Sequence, residues 1–233
     1  MQILIVIPVS SSKWNKATEK HALKYVSANT KIDVINLEKV PESIESYHDS
    51  VLAAPAVVEA AEEVEGKGYE AVIIACFDDP GLHAARERVS IPVLGLGETS
   101  MTIASLLGNK FAVVSTGNNS RAIYERKAME LGLTKRLAYS SGIDIGVLKL
   151  TEEEARVKQL LLEEARKAIH NFGAEVIVLG CAGMMGFSEE LSKILNVPVV
   201  DPLLVTVKMA ETLAALGLTH SKAWFYNIPA HKR

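Results

Sequence analysis

Short runs rich in Val and Ile alternate along the chain with longer stretches in which apolar residues recur at helical spacing. The runs predict strands over residues 3–7, 32–37, 71–75, 93–96, 111–115, 176–180 and 197–200, with a weaker one over 142–147. The periodic stretches predict helices over 15–27, 51–65, 99–107, 121–131, 151–172 and 203–216. Strands that read as continuous apolar runs are buried on both faces, and their alternation with helices indicates parallel β-α units. The expected class is therefore α/β, with no stretch that reads as a disordered linker.

The pattern repeats. "KGYEAVIIACFDDPG" is echoed by "NFGAEVIVLGCAGMMG", and each is followed by a helix-sized gap and a second strand carrying Pro-Val, "SIPVLGLGET" and "NVPVVDPLLV". "ILIVIPVSSS" and "KFAVVSTGNNS" resemble each other at a similar offset. Such self-similarity predicts two similar lobes in a pseudo-twofold relation, each a mostly parallel sheet flanked by helices, with an active site in the cleft between them. The first lobe is expected to hold residues 1–98 plus about 208–233, and the second 99–207, with helix 99–107 as the passage between them.

Composition narrows the chemistry. A chain of 233 residues, 48% hydrophobic and 23% charged, is long enough for two lobes with real cores. The net charge of −3 and the lack of long Lys/Arg runs argue against a nucleic-acid or anionic-membrane surface, leaving small molecules or proteins as the expected partners. The apolar start "MQILIVIPVS" lacks a basic segment and a cleavage site and is too short to span a bilayer, so it reads as a first strand of a cytoplasmic protein. Two cysteines make neither a disulfide framework nor a structural zinc site. Without metal-ligand spacing or a Gly-rich phosphate motif after the first strand, no metal, nucleotide or pyridoxal cofactor is expected.

Those two cysteines, Cys76 and Cys181, occupy equivalent places in the repeat, each where a strand ends and a turn begins. In an open parallel sheet the ligand crevice lies beyond the carboxyl ends of the strands. Each thiol also precedes an expected helix start, whose free N–H groups and dipole can lower a thiol pKa from about 8.5 by a unit or more. A thiolate and a thiol on opposite sides of one carbon suit inversion of a stereocentre with an acidic C–H, where one face loses a proton and the other gains one. Backbone N–H groups in the turns "CFDD", "STGN" and "CAGM" are candidates to stabilise the developing enolate, which marks Phe77, Asp78, Thr116, Gly117, Ala182 and Gly183 as substrate-contacting positions. A carboxylate beside a thiolate, as at Asp78 or Asp79, raises the thiol pKa unless it points away.

The stretches "ACFDDPGLHAARE", "PVLGLGETSMTIASLLGNKFAVVST", "GAEVIVLGCAGM" and "VPVVDPLLVTVKMAE" together resemble the aspartate/glutamate/hydantoin racemase superfamily, and most its hydantoin and allantoin racemase branch. The most specific parts are the blocks around Cys76 and Cys181. The resemblance implies cofactor-independent racemisation of 5-substituted hydantoins or related cyclic ureides by a homo-oligomer, with Cys76 and Cys181 as the catalytic pair. Where hydantoin racemases commonly carry an Asn-Pro-Asn-Thr-Ser type motif, this chain has "IPVSSS", which places Ile7 and Val9 at the amide positions and adds Val9, Ser10 and Ser11 to the candidate substrate contacts.

Blander readings stand beside these. Cysteine is often a small buried hydrophobe; Ser10 to Ser12 suit a helix cap; Thr116 and Gly117 suit a simple turn. His83 reads as a solvated helix position, and the aromatic tail "HSKAWFYNIP" as a cover for an apolar surface or a subunit contact. Alternative functions are an Asp/Glu racemase, a single-cysteine dicarboxylate isomerase or decarboxylase, and a non-catalytic two-lobed ligand-binding protein.

Overall fold

The structure, a computed structural model, describes residues 1–229 and 231. Strands β1 (Gln2–Ile7), β2 (Lys31–Asn36), β3 (Ala71–Ile74) and β4 (Val93–Gly95) form one parallel sheet in the order β2-β1-β3-β4. Strands β5 (Phe111–Ser115), β6 (Leu137–Gly142), β7 (Val176–Leu179) and β8 (Val199–Val200) form a second in the order β6-β5-β7-β8. The helices are α1 (Asn15–Leu23), α2 (Tyr47–Val64), α3 (Leu82–Arg88), α4 (Leu96–Leu107), α5 (Ser120–Glu130), α6 (Glu154–Phe172), α7 (Ser188–Leu195) and α8 (Pro202–Ala215). The expected two sheets flanked by helices are present, with the same strand order in each.

The continuous apolar runs divide by the two-residue period of a strand. Ile3, Ile5, Ile7, Ala71 and Ile73 of the first sheet, with Phe111, Val113, Val176 and Val178 of the second, all belong to one central core. Their neighbours point the other way: Leu4, Val6, Val72 and Ile74 pack under α2 and α3, and Ala112, Val114, Ile177 and Leu179 under α6 and α7. Each such Val, Leu, Ile or Phe side chain contributes about 1.5–3 kcal/mol on full burial, which is why strands buried on both faces hold even when short.

Helices α4 and α8 share the central core with both sheets, through Met101 and Ala104 on one and Leu203, Val207 and Ala210 on the other. α4 follows the first sheet yet packs against β5 and β7, and α8 follows the second yet packs against β3, β4 and α4. α4 thus joins the two sheets, and α8 returns from the second to pack on the first. Near its end α8 is tied to the α1–β2 loop by Glu211, which accepts from Ser27 N at 2.8 Å and Thr30 Oγ1 at 2.5 Å. Burial pushes this carboxyl up, but hydrogen bonds from Lys208, Thr30 and Ser27 prevail and draw its pKa down to about 2.

Some element boundaries differ from the sequence expectation. The strand expected over 142–147 is a loop leading to a 3-10 turn (Val147–Lys149), and the strand itself ends at Gly142. Ile143 and Ile145 are buried and mimic strand alternation, but Asp144 sits at φ 56°, which breaks an extended run. α1 ends four residues early, at Leu23, and α2 begins four residues early because Ser46 accepts from Asp49 N and caps it. The tail lies across α3 and β4: Val93 N donates to His220 Nε2, Lys222 caps the carbonyls of Glu87 and Val89, and Tyr226 Oη meets His83 Nδ1 at 3.1 Å. His83 is thus engaged by the tail, while Trp224 and Phe225 remain 89% and 71% exposed. Among the described residues, no helix is long and apolar enough to cross a membrane.

Candidate active site

The Cys76 turn begins where β3 ends. Asp79 N donates to Cys76 O, and Asp79 and Gly81 take left-handed conformations at φ 54° and 71°. The Asp79 carboxylate accepts from Gly97 N and Glu98 N, both at 2.8 Å, and from Lys127 Nζ at 2.7 Å. It therefore caps the start of α4 from outside the helix and binds α5 to the same corner. The approach is close: a Cβ on Gly97 would stand 2.1 Å from Phe77 O, so a side chain there forces the turn to move.

The Cys181 turn follows β7 through Gly180, whose carbonyl accepts from Ser115 Oγ at 2.7 Å and Tyr124 Oη at 3.0 Å. A 3-10 turn (Ala182–Met184) comes next. Asp201 caps α8 by accepting from Leu203 N, and its other oxygen accepts from Gly186 N at 3.1 Å and lies 2.9 Å from His21 Nε2 of α1. Each cysteine turn is thus fastened by a buried aspartate to the start of one of the two central helices.

Cys76 and Cys181 open onto one cavity of about 620 Å³, counting the space at its mouth. Of the candidate contacts, Val9, Phe77, Asp78, Thr116, Ala182 and Gly183 line it. Ser10, Ser11 and Gly117 do not. Ser10 is turned to solvent with its N bonded to Pro41 O, and Ser11 Oγ accepts from Lys13 N in the turn before α1. No hydroxyl caps α1, so the capping reading of this serine run does not apply. Gly117 closes against β6, where a Cβ on Gly142 would lie 1.9 Å from its carbonyl.

The structure adds wall residues that the sequence did not single out: Trp14, Ile44, Ser115, Tyr124, Val147 and Met185, beside Ile7 and Pro8. For Tyr124 a signal existed. It lies midway between Ser120 and Ala128, the other buried residues of α5, so helical spacing turns it inward, and a buried phenol requires a hydrogen-bond partner.

Electrostatics correct one expectation. Both thiols are pushed up, not down. For Cys76 burial is the main cause, Asp78 and Cys181 add to it, and a backbone hydrogen bond from Asp78 opposes. For Cys181 burial, opposed by the Gly183 N–H and reinforced by Asp78 and Glu45, takes the thiol to about 12. The helix starts do not compensate because α3 begins only at Leu82 and is 7 residues long, while Cys181 precedes a 3-10 turn of 3 residues. Asp78 itself is raised to about 6 by burial, with Asp79 adding and Lys127, Arg126 and Tyr124 opposing.

Two parallel four-stranded sheets flanked by helices, with a thiol from each lining one cavity, place the chain in the α/β class. Residues 3–210 match the family described as Asp/Glu/Hydantoin racemase, and the chain belongs to that family; it is a racemase, an isomerase. It is 36% identical over 232 residues to the hydantoin racemase of Pseudomonas sp. (strain NS671), covering 100% of this chain and 93% of that protein. It is 37% identical over 234 residues to the hydantoin racemase of Paenarthrobacter aurescens, covering 100% and 99%. The crystal structure of allantoin racemase from Pseudomonas fluorescens superposes with a TM-score of 0.94 at 31% identity, covering 99% of this chain and 97% of that one.

Proposed function

We propose that the protein racemises hydantoin-like cyclic ureides without a cofactor, with Cys76 and Cys181 as its two bases. The observation that carries this reading is the opening of both thiols, from the carboxyl ends of corresponding strands, onto a single cavity. One sulfur, as thiolate, takes the proton from the ring C–H. The electron pair left on carbon delocalises into the adjacent carbonyl as an enolate, and the opposite sulfur, as thiol, returns a proton to the other face. The enzyme leaves turnover with the two protonation states exchanged and ready for the other enantiomer.

Charge repulsion between the sulfurs supports this division of labour. Cys181 is among the charges that raise the Cys76 thiol, so once one sulfur is a thiolate, ionisation of the other is opposed and it stays a thiol able to return a proton. The turns carrying Phe77 and Ala182, with Thr116, supply the donors for the enolate oxygen. Apolar walls from Ile7, Val9, Trp14 and Met185 suit an uncharged ring.

Solvent deuterium exchange followed by NMR tests the reading. Both enantiomers of a hydantoin or of allantoin are expected to exchange the ring C–H, while aspartate and glutamate do not; absence of exchange with every ureide would refute it. The raised thiols set the pH profile. Their thiolate fraction grows as pH rises toward the elevated pKa values, so kcat/KM for a hydantoin is expected to climb from about pH 6 to about pH 8, below the ionisation of the ring imide. A profile falling over that interval would contradict thiolate bases with these pKa values.

A further inference from the structure

The cavity wall is electrostatically one-sided. Among the described residues that line it there is no Lys, Arg or His, and Asp78 is the only carboxylic acid. The nearest cations are engaged elsewhere. Lys127 Nζ bonds Asp79 Oδ2 at 2.7 Å and Asp78 O at 3.2 Å, while Arg126 pairs with Glu130 at 2.6 Å and stacks over the Tyr47 ring at 5.0 Å. Lys127 thus holds the Asp78 backbone in place while its charge is spent on the neighbouring aspartate. The other polar side chains of the wall, Thr18, Ser115, Thr116 and Tyr124, are uncharged; Tyr124 shares its hydroxyl among Ser115, Gly180 and Asp78.

On the racemase reading above, we propose that Asp78 sets the charge selectivity of this cavity, admitting cyclic ureides with neutral or cationic ring substituents and excluding those that carry a carboxylate. Two features of the wall carry this. A substrate carboxylate would enter an apolar enclosure with no cation to receive it, beside Asp78 and a thiolate that turnover requires. A substrate ammonium or ring N–H, in contrast, finds in Asp78 a carboxylate acceptor whose second oxygen and remaining lone pairs can take it beside the Tyr124 hydroxyl.

The charge on Asp78 is itself adjustable. Facing it are Cys76 and Asp79 of its own turn, Cys181 from the turn after β7, and Tyr124, Arg126 and Lys127 from α5. Glu45, in the loop before α2, acts on Cys181. His83 of α3 and Glu98 of α4 line the groove on the outer side of the same wall. With its pKa raised to about 6, chiefly by burial, Asp78 is ionised above that pH and neutral below it.

The test compares hydantoins of similar size bearing alkyl, aminoalkyl and carboxyalkyl substituents. The quantity read is the ratio of kcat/KM for the aminoalkyl compound to that for the carboxyalkyl compound, in the natural enzyme and in Asp78→Asn. In the natural enzyme the ratio is expected to exceed about tenfold near pH 8 and to shrink severalfold by about pH 5. In Asp78→Asn it is expected to be smaller and flat with pH. Turnover of the alkyl compound with the same ratio in both proteins would overturn the proposal alone; no turnover of the alkyl compound by the natural enzyme would overturn the racemase reading and this proposal with it. Should Asp78→Asn not fold, the natural enzyme decides by itself, since a ratio near one, or one that does not change with pH, also overturns the proposal.

Discussion

Serine in place of either Cys76 or Cys181 is expected to abolish interconversion of enantiomers, lowering kcat/KM by about a thousandfold or more. A hydroxyl in the same cavity ionises far above the thiol, even a thiol already raised to about 12 like Cys181. It can neither take the C–H proton nor return one at a useful rate. The two variants are expected to fail differently. Under the proposed two-base mechanism each keeps one base, so each should still exchange the C–H of one enantiomer with solvent deuterium, and the enantiomer should switch between Cys76→Ser and Cys181→Ser. Chiral chromatography reads the first effect and NMR the second. Full racemisation by either variant would eliminate a mechanism in which both sulfurs act. Retention of exchange on both enantiomers by one variant would instead assign proton removal to a single base.

Much of this architecture is visible in the sequence, because strands buried on both faces leave unbroken apolar runs and the repeat doubles every signal. The shared location of Cys76 and Cys181 was legible for the same reason: equivalent strand ends in equivalently ordered sheets reach one cleft. What failed depends on features that local pattern does not encode. Ile143 and Ile145 alternate like a strand, yet the backbone at Asp144 turns left-handed. Ser10 to Ser12 stand where a helix cap is expected, yet none of their hydroxyls caps α1, and it is the apolar Ile7, Pro8 and Val9 before them that line the cavity. The thiol pKa values went the opposite way from expectation because burial and Asp78 outweigh short helices whose length only the structure reveals. Trp14 and Ile44 came from segments outside the quoted blocks, brought to the cavity by tertiary packing, while Met185 lies at the end of the Cys181 block without a chemical signal of its own.

Asp79→Ala is expected to lower unfolding free energy by about 3–5 kcal/mol, far beyond the roughly 0–1 kcal/mol of an exposed ion pair. The Asp79 side chain is 2% exposed and that of Lys127 12%, so their pair is shielded from solvent. Removing the carboxylate strands the Lys127 charge in the interior and leaves Gly97 N and Glu98 N at the start of α4 without their acceptor. α4 lies in the core between both sheets, and the same carboxylate fixes the turn that carries Cys76, so kcat should fall alongside stability. A second substitution separates the contributions. Asp79→Ala combined with Lys127→Met removes the stranded charge but restores neither the cap nor the turn. The pair is therefore expected to recover part of the lost stability in denaturant unfolding while kcat stays low. If Asp79→Ala unfolds within about 1 kcal/mol of the natural protein, this corner is no anchor for the Cys76 turn. If the double variant regains full kcat, Asp79 serves only to neutralise Lys127, and the positioning of Cys76 must come from the close contact between Gly97 and the Phe77 carbonyl.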